Sequence, residues 1–465
     1  MAEPLWTSEE MLAATGGRMA GAPFAATGIS IDTRTLELGD LFVALAGERD
    51  AHEFVPAALA RGAAGSLVTR VGEGSSVVVG DTLQALEKLG IAARVRAKAA
   101  RRGAVTGSVG KTSVTQAIRA GLDLAGCGHG SVKSYNNHIG VPLTLARMPR
   151  DTERAIFEIG MNHAGDIAPL VRMVQPHAVA VTTVAPVHIE NFADGETGVA
   201  RAKAEIFEGL ASGGRAVLNA DNRWFELLAD AAKARGAEIA TFGTSADCAA
   251  QLIDFRLEGE GARVEARLRG APVSFTLRQT GAHWGLMSLA AILMMEALEV
   301  PQDQALTALA AFSPLEGRGA ERTVTLAGGP FTLIDESYNA NPLSVGAALR
   351  TMGLRTTRNR RIAVLTDMLE LGEGAAAYHA GLAAEIEAAK VDLVFVAGPL
   401  MQRLWEALPP TRRGGYAGTA AELAQPLTRA VEPGDLVMVK GSRDSHAKAL
   451  FEALAGLDTR RGDAA

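Results

Sequence analysis

The chain has 465 residues, 48% hydrophobic and 21% charged, a composition that excludes intrinsic disorder and collagen-like repeats. Its 46 Lys and Arg against 52 Asp and Glu leave a net charge of −6, which excludes a strongly basic nucleic-acid binder, so no nucleic-acid partner is expected. At roughly 150 residues per domain the length predicts about three domains. The 51 glycines are about 11% of the chain against a usual ~7%, so many backbone positions must be ones that a Cβ would obstruct.

Cys127 and Cys248 are too few for a disulfide framework or a Cys-rich metal site, and are expected to be buried, reduced thiols. Met1–Glu10 has no basic region followed by an apolar core, so no secretory signal is expected. The most apolar stretch, His283–Glu296, falls short of the ~20 residues a membrane helix needs. A cytoplasmic enzyme or NTPase without membrane insertion is the resulting expectation.

In chain order, an extended stretch at Ile29–Ala46 precedes a helix near Phe54–Arg61, strands at Ser66–Thr69 and Val77–Val79, and a helix at about Thr82–Ala100. This reads as a small α/β unit. A short strand at Gly103–Thr106 then leads through a Gly-containing turn into a helix from about Thr112. Buried-type strands recur at Ala155–Ile159, Ala178–Val184 and Ala216–Asn219, alternating with helices as in a mostly parallel sheet. Arg263–Arg278 alternates apolar and polar residues around Gly270, the pattern of an antiparallel hairpin, and the helix Trp284–Leu298 follows. The pattern resets near Pro314–Arg318. Strands at Phe331–Asp335, Arg361–Thr366, Leu393–Ala397 and Leu436–Val439 then alternate with helices, including Leu343–Met352 and Ala375–Ala389, as in a doubly wound Rossmann-like fold. The borders fall at 1–101, 102–313 and 314–465, and the tail Asp458–Ala465 is expected to fray.

Chemistry concentrates first at Thr106-Gly107-Ser108-Val109-Gly110-Lys111-Thr112-Ser113, between a strand and a helix. Glycines let backbone N–H groups turn onto phosphate oxygens. The helix N-terminus adds a favourable field, Lys111 reaches the β/γ-phosphates, and Thr112 is placed for Mg²⁺. The spacing is shorter than in the common phosphate loop, with Val105 where a first Gly would stand. The alternative is a tight turn with an exposed Lys. Glu158 ends one strand, and His188 and Glu190 follow another. A carboxylate and an imidazole beside a triphosphate suggest a second Mg²⁺ position, against the alternative of ordinary loop residues. By composition Lys203, within Arg201–Phe207, reads as a solvated helix lysine, and Asn136-Asn137-His138-Ile139-Gly140-Val141-Pro142 as a capping turn.

Taken together and in order, the phosphate loop, the Asn136–Pro142 turn, Glu158-Ile159-Gly160, His188-Ile189-Glu190, Ala202–Phe207 and Leu218–Asn222 resemble the ATP-dependent Mur ligases of peptidoglycan precursor synthesis, over nearly the whole chain. Asp335–Pro342, Asp367–Gly372 and Lys440–Arg443 resemble the branch that adds D-alanyl-D-alanine to UDP-MurNAc-tripeptide. The Asp-Asn-Pro-Arg element of a sibling branch is absent. Ser30–Arg34 and Gly39–Leu45 resemble the family's uridine-diphosphate-binding domain. One departure stands at Gly281–Ser288, where His283 is kept but two family Asn positions differ.

The resemblance implies an ADP-forming amide ligase that works through an acyl phosphate, with ATP and two Mg²⁺ ions, and a monomer is expected. Lys111, Lys203, His188 and Arg318 would be catalytic. Gly107, Ser108, Val109, Gly110, Thr112, Ser113 and His283 would contact ATP, with Arg318 clamping phosphate and Asp335 holding ribose. Thr112, Glu158, His188 and a carbamylated Lys203 would hold metal. Ser30, Thr33, Arg34, Asn137, His138, Asn162 and His163 would bind the nucleotide-linked substrate, and Asn339 and Asn341 the dipeptide. Arg318 as an interdomain salt bridge, and the two last Asn as turn formers, are the alternatives.

Overall fold

The computed structural model describes residues 3–47 and 49–459. Three principal sheets follow one another along the chain. The first has five strands, in the order Arg18–Ala20, Ser76–Val78, Gly65–Val68, Asp40–Val43, Gly28–Ser30, with only the first pairing antiparallel. The expected stretch Ile29–Ala46 is therefore two strands. They are split by a 3₁₀ turn at Thr33–Thr35, which Asp32 caps by accepting from Arg34 N.

The second sheet has nine strands, ordered Ala271–Leu277, Gly261–Leu268, Ala250–Glu258, Glu238–Gly243, Arg215–Asn219, Ala178–Val181, Arg101–Thr106, Arg154–Glu158, Gly128–Gly130. The seven from Ala250–Glu258 onward pair in parallel, and the first two extend the sheet antiparallel. Apolar runs such as Ala-Val-Ala-Val at 178–181 are buried throughout, as expected of strands covered on both faces. Helix Trp284–Ala297 lies in the core on one face, with Leu289–Met295 all at most 3% exposed. That uniform burial suits an apolar helix with no polar side.

The third sheet runs Ala320–Leu326, Gly329–Glu336, Leu436–Lys440, Arg361–Thr366, Leu393–Ala397, Arg413–Ala417. It is parallel apart from the leading hairpin, with separate cores on its two faces.

Of the two cysteines expected to be buried, Cys248 is buried and Cys127 is exposed, between helix Lys111–Ala125 and strand Gly128–Gly130. Several elements escaped the sequence pattern. Helix Ser8–Thr15 is eight residues long and held by a capping box between Thr7 and Glu10. Strand Arg413–Ala417 is glycine-rich, and Ala320–Leu326 is a polar edge strand. The strand expected at Ala178–Val184 stops at Val181, because Thr182 and Thr183 turn to hold the phosphate loop. The tail does not begin to fray where expected. Asp458 is 7% exposed, and Thr459 Oγ1 donates to the Thr325 carbonyl at 3.1 Å; residues 460–465 lie outside the described ones.

The large core of the second sheet generates a test. Leu293 is 1% exposed on helix Trp284–Ala297. Leu293→Ala should destabilise this unit by about 2–5 kcal/mol, read as an earlier calorimetric unfolding transition.

Candidate active site

Loops at the carboxyl ends of the second and third sheets face each other across a cleft of about 1410 Å³. Strand Arg101–Thr106 is central in its sheet and feeds the phosphate loop. Its neighbours end at Glu158 and Val181, so three loops converge, the placement expected for ligands of open parallel sheets.

The loop is fixed by its glycines and by the strand beside it. Gly107 has φ +146°, and a Cβ there would lie 1.9 Å from Thr182 Oγ1. Gly110, at φ +87°, turns the chain into helix Lys111–Ala125. Thr182 Oγ1 donates to the Val109 carbonyl at 2.6 Å, and Ser108 Oγ donates to the Ala185 carbonyl at 3.0 Å. Lys111 folds back, its Nζ donating to the Gly107 carbonyl at 2.6 Å. Burial lowers its pKa; Glu158 opposes that shift and Arg318 adds to it.

Thr112 and Glu158 belong to one polar chain. Thr112 Oγ1 donates to Ser134 Oγ at 3.4 Å, and Ser134 Oγ donates to Glu158 Oε1 at 3.1 Å. Asn136 Nδ2 also donates to that oxygen, at 2.6 Å. Glu158 is fully buried, yet its Oε2 has no hydrogen-bond partner. A buried carboxylate oxygen left open beside a threonine hydroxyl and a phosphate loop suits Mg²⁺, which takes one or two carboxylates together with phosphate oxygens and water. Among the described residues no group of three His, Cys, Asp or Glu forms a metal cluster. Protein side chains alone therefore make no all-carboxylate cage.

Lys203 is not a solvated helix lysine, because it is 2% exposed. Burial, and then Lys111, push its pKa well below the ordinary value. The pKa of His188 is lowered by burial first; Glu370 opposes the shift and Lys111 and Lys203 reinforce it. These three titratable groups, drawn from three separate elements, therefore sense one another.

Ser108–Ser113, Asn137, His138, Glu158, Asn162, His188, His283, Arg318, Asn339 and Asn341 line the cleft. Several take roles other than those expected. Asn137 Oδ1 caps helix Gly140–Ala146 by accepting from Ile139 N and Gly140 N, so it is the neighbouring Asn136 that reaches Glu158. Asn341 is the N-cap of helix Pro342–Leu354, and Asn339 Oδ1 accepts from Ala340 N, contacts that turn formers make, while both residues still line the cleft. Asp335 is 5% exposed, and its oxygens accept from Gly317 N, Ser337 N and Ser337 Oγ. It ties Gly317 to the end of its strand and is not among the residues that line the cleft. His163 lies outside the cleft. Ser30, Thr33 and Arg34 lie on the first unit, also outside it, with the Arg34 guanidinium on the Asp32 carboxylate at 2.6 Å. Arg318 stacks 4.0 Å above the Tyr338 ring, so it is not the interdomain salt bridge considered as its alternative. Buried Lys440, from a motif noted in the sequence, pairs with Glu336 at 3.1 Å. Ser134 and Thr182 carried no sequence signal of their own, and Glu370 stood within the Asp367–Gly372 motif with no role assigned to it.

Residues 105–295 match the Mur ligase middle domain, and residues 321–443 the Mur ligase glutamate ligase domain. The chain is 33% identical over 448 residues to the UDP-N-acetylmuramoyl-tripeptide–D-alanyl-D-alanine ligase of Escherichia coli, covering 94% of this chain and 96% of that one. To the Bacillus subtilis ligase of the same name it is 32% identical over 425 residues, covering 90% of each. A crystal structure of MurF from Acinetobacter baumannii superposes with a TM-score of 0.84 at 27% identity, over 98% of this chain and 99% of that one.

With the phosphate loop, the cleft and both domain matches in place, the chain belongs to the Mur ligase family of ATP-dependent ligases. Within that family it falls in the MurF branch, the UDP-N-acetylmuramoyl-tripeptide–D-alanyl-D-alanine ligases.

The loop geometry generates a test. Gly107→Ala forces a Cβ into Thr182 and a φ that side-chain-bearing residues rarely adopt. ATP binding should weaken roughly tenfold or more, about 1.4 kcal/mol, in calorimetric titration, with the circular dichroism spectrum unchanged.

Proposed function

We propose that this chain joins D-alanyl-D-alanine to UDP-MurNAc-tripeptide at the expense of ATP, giving UDP-MurNAc-pentapeptide, ADP and phosphate. The observation that carries this reading is a single cleft in which the phosphate loop at 107–113 faces Tyr338–Asn341 and Lys440–Asp444. The substrate carboxylate attacks the γ-phosphorus, the new O–P bond forms and the bond to ADP breaks. The dipeptide amine then attacks the acyl carbon, and the tetrahedral intermediate expels phosphate.

The physical obstacle is the approach of a carboxylate to an anionic triphosphate. Lys111 and Arg318, both on the cleft wall, neutralise that charge and hold the transferring phosphoryl group. Thr112 and Glu158 would hold Mg²⁺, which supplies further neutralisation of the phosphate oxygens. His188 and Lys203 would hold a second Mg²⁺, and in that role Lys203 would be carbamylated. Burial beside Lys111 favours the uncharged amine, the form that adds to CO₂ with loss of a proton, and the product is an anionic oxygen donor where a bare ammonium would repel Mg²⁺.

Labour divides among residues 1–101, 102–313 and 314–465. The first unit takes the uridine nucleotide through Ser30, Thr33 and Arg34, the second takes ATP, and the third takes the dipeptide along Tyr338–Asn341. His138 and Asn162 face the peptide-bearing substrate, and His283 faces the adenine side. A monomer acting in the cytoplasm, where ATP is available, fits this reading.

Phosphate release with UDP-MurNAc-tripeptide and a panel of acceptors tests this reading. Release should depend on D-alanyl-D-alanine. Dependence on a free amino acid or on glutamate, or release without any acceptor, would overturn it. Lys203→Ala should abolish ligation and regain part of it with small carboxylic acids that refill the cavity. Full activity of the untreated variant would remove Lys203 from the site.

A further inference from the structure

The second and third units meet at one charged contact inside the cleft that the reaction above does not use. Glu370 Oε2, from the loop after strand Arg361–Thr366, lies 2.5 Å from His188 Nδ1, from the loop after strand Ala178–Val181. The carboxylate is close enough for an ion pair, though not in line with the ring N–H.

Both partners have left-handed backbones, His188 at φ +53° and Glu370 at φ +62°. Residues with a side chain rarely adopt this conformation, and it persists where the surroundings over-determine it, commonly at functional sites. Only eight such residues occur among those described, and two of them touch here across a domain boundary. Alongside, Gly372 at φ +59° brings its backbone so close that a Cβ would sit 3.4 Å from Glu190 Cα.

The Glu370 loop is braced from within its own unit. His379, fully buried, accepts from Met368 N at 2.9 Å through Nε2, while its Nδ1 lies 2.7 Å from the Ala375 carbonyl. Leu369 N donates to Ser442 Oγ at 2.9 Å. A surface glutamate on a free loop would contribute little to an ion pair. A braced one, half-exposed and aimed at a largely buried imidazole, meets that imidazole in one orientation only.

We propose that Glu370 is a positioning residue. Docking of the third unit on the second brings its carboxylate to Nδ1 of His188, which fixes the imidazole with Nε2 left for the cleft. The catalytic histidine then adopts its working orientation only in the closed molecule. Such carboxylate partners of functional histidines set ring orientation and tautomer. The proposal rests on the ligase reading for its turnover assay and for the role of His188, whereas its scattering readout stands independently.

The full chain is compared with Glu370→Gln, which removes the charge and keeps the shape, and with Glu370→Asp, which keeps the charge. In turnover with ATP, Mg²⁺, UDP-MurNAc-tripeptide and D-alanyl-D-alanine, Glu370→Gln should lose about 10–100-fold in kcat, with the KM for ATP within about twofold. Glu370→Asp should recover part of the loss. His188→Asn combined with Glu370→Gln should lose no more than His188→Asn alone, because contacting residues acting through one another are not additive. In small-angle scattering with a non-hydrolysable ATP analogue, Glu370→Gln should keep a larger radius of gyration than the unaltered chain.

An unchanged kcat with an unchanged radius, or multiplicative losses in the double variant, would overturn the proposal. Failure of the unaltered chain to use D-alanyl-D-alanine would overturn the assigned reaction, while the scattering comparison would still judge Glu370.

Discussion

Lys203 and Lys111 sit within electrostatic reach of each other, in a pocket where burial disfavours charge on both, and the fully buried Glu158 is the carboxylate that opposes the loss on Lys111. Like charges gathered in a dehydrated pocket cost free energy unless something anionic arrives. A triphosphate supplies that charge, and so would a carbamate on Lys203. An arriving phosphate relieves the penalty that burial and mutual repulsion place on charge at these amines, and the surrounding architecture holds the gathering in place.

Holding it requires rigid backbone from several directions. The phosphate loop is pinned by Thr182 and Ser108, Glu158 by Ser134 and Asn136, and the facing wall by Lys440 on Glu336. Each anchor lies at or just beyond a strand end, where the sheet fixes position to within the spread of a hydrogen bond. Loops that carry function on a rigid scaffold follow the same logic.

The fold was legible where hydrophobic period and length agreed. Strands Arg361–Thr366 and Leu393–Ala397 stand where the apolar runs put them. Arg413–Ala417 stayed hidden because Gly414 and Gly415 give a strand no apolar side, and Ala320–Leu326 because an edge strand keeps one side wet. At the site, the phosphate loop announced itself through glycine spacing, a local signal. Lys203 and Asn136 stood in motifs that carry the family resemblance, but their burial and partners were hidden, since those come from residues distant in sequence. An Asn-Asn pair marks a turn in any chain, and only the fold tells which of the two caps a helix and which reaches a carboxylate. Glu370 fell within the Asp367–Gly372 motif, but its partner did not show there, because that contact crosses a domain boundary.

The three units are not joined in the same way. Leu143 and Ala146, from a helix of the second, complete the apolar core of the first. Trp6 Nε1 donates to the Ala146 carbonyl at 2.8 Å, and Arg96 stacks over that indole at 3.9 Å while donating to Leu5 and Met148 carbonyls. Separating those two units would expose packed hydrocarbon. Between the third and the second, the contacts include polar pairs, Arg355 with Thr280 and Glu370 with His188. Mechanically, the first two folds are welded along an apolar seam, so a force that pulls them apart would have to strip hydrocarbon from hydrocarbon before either came free.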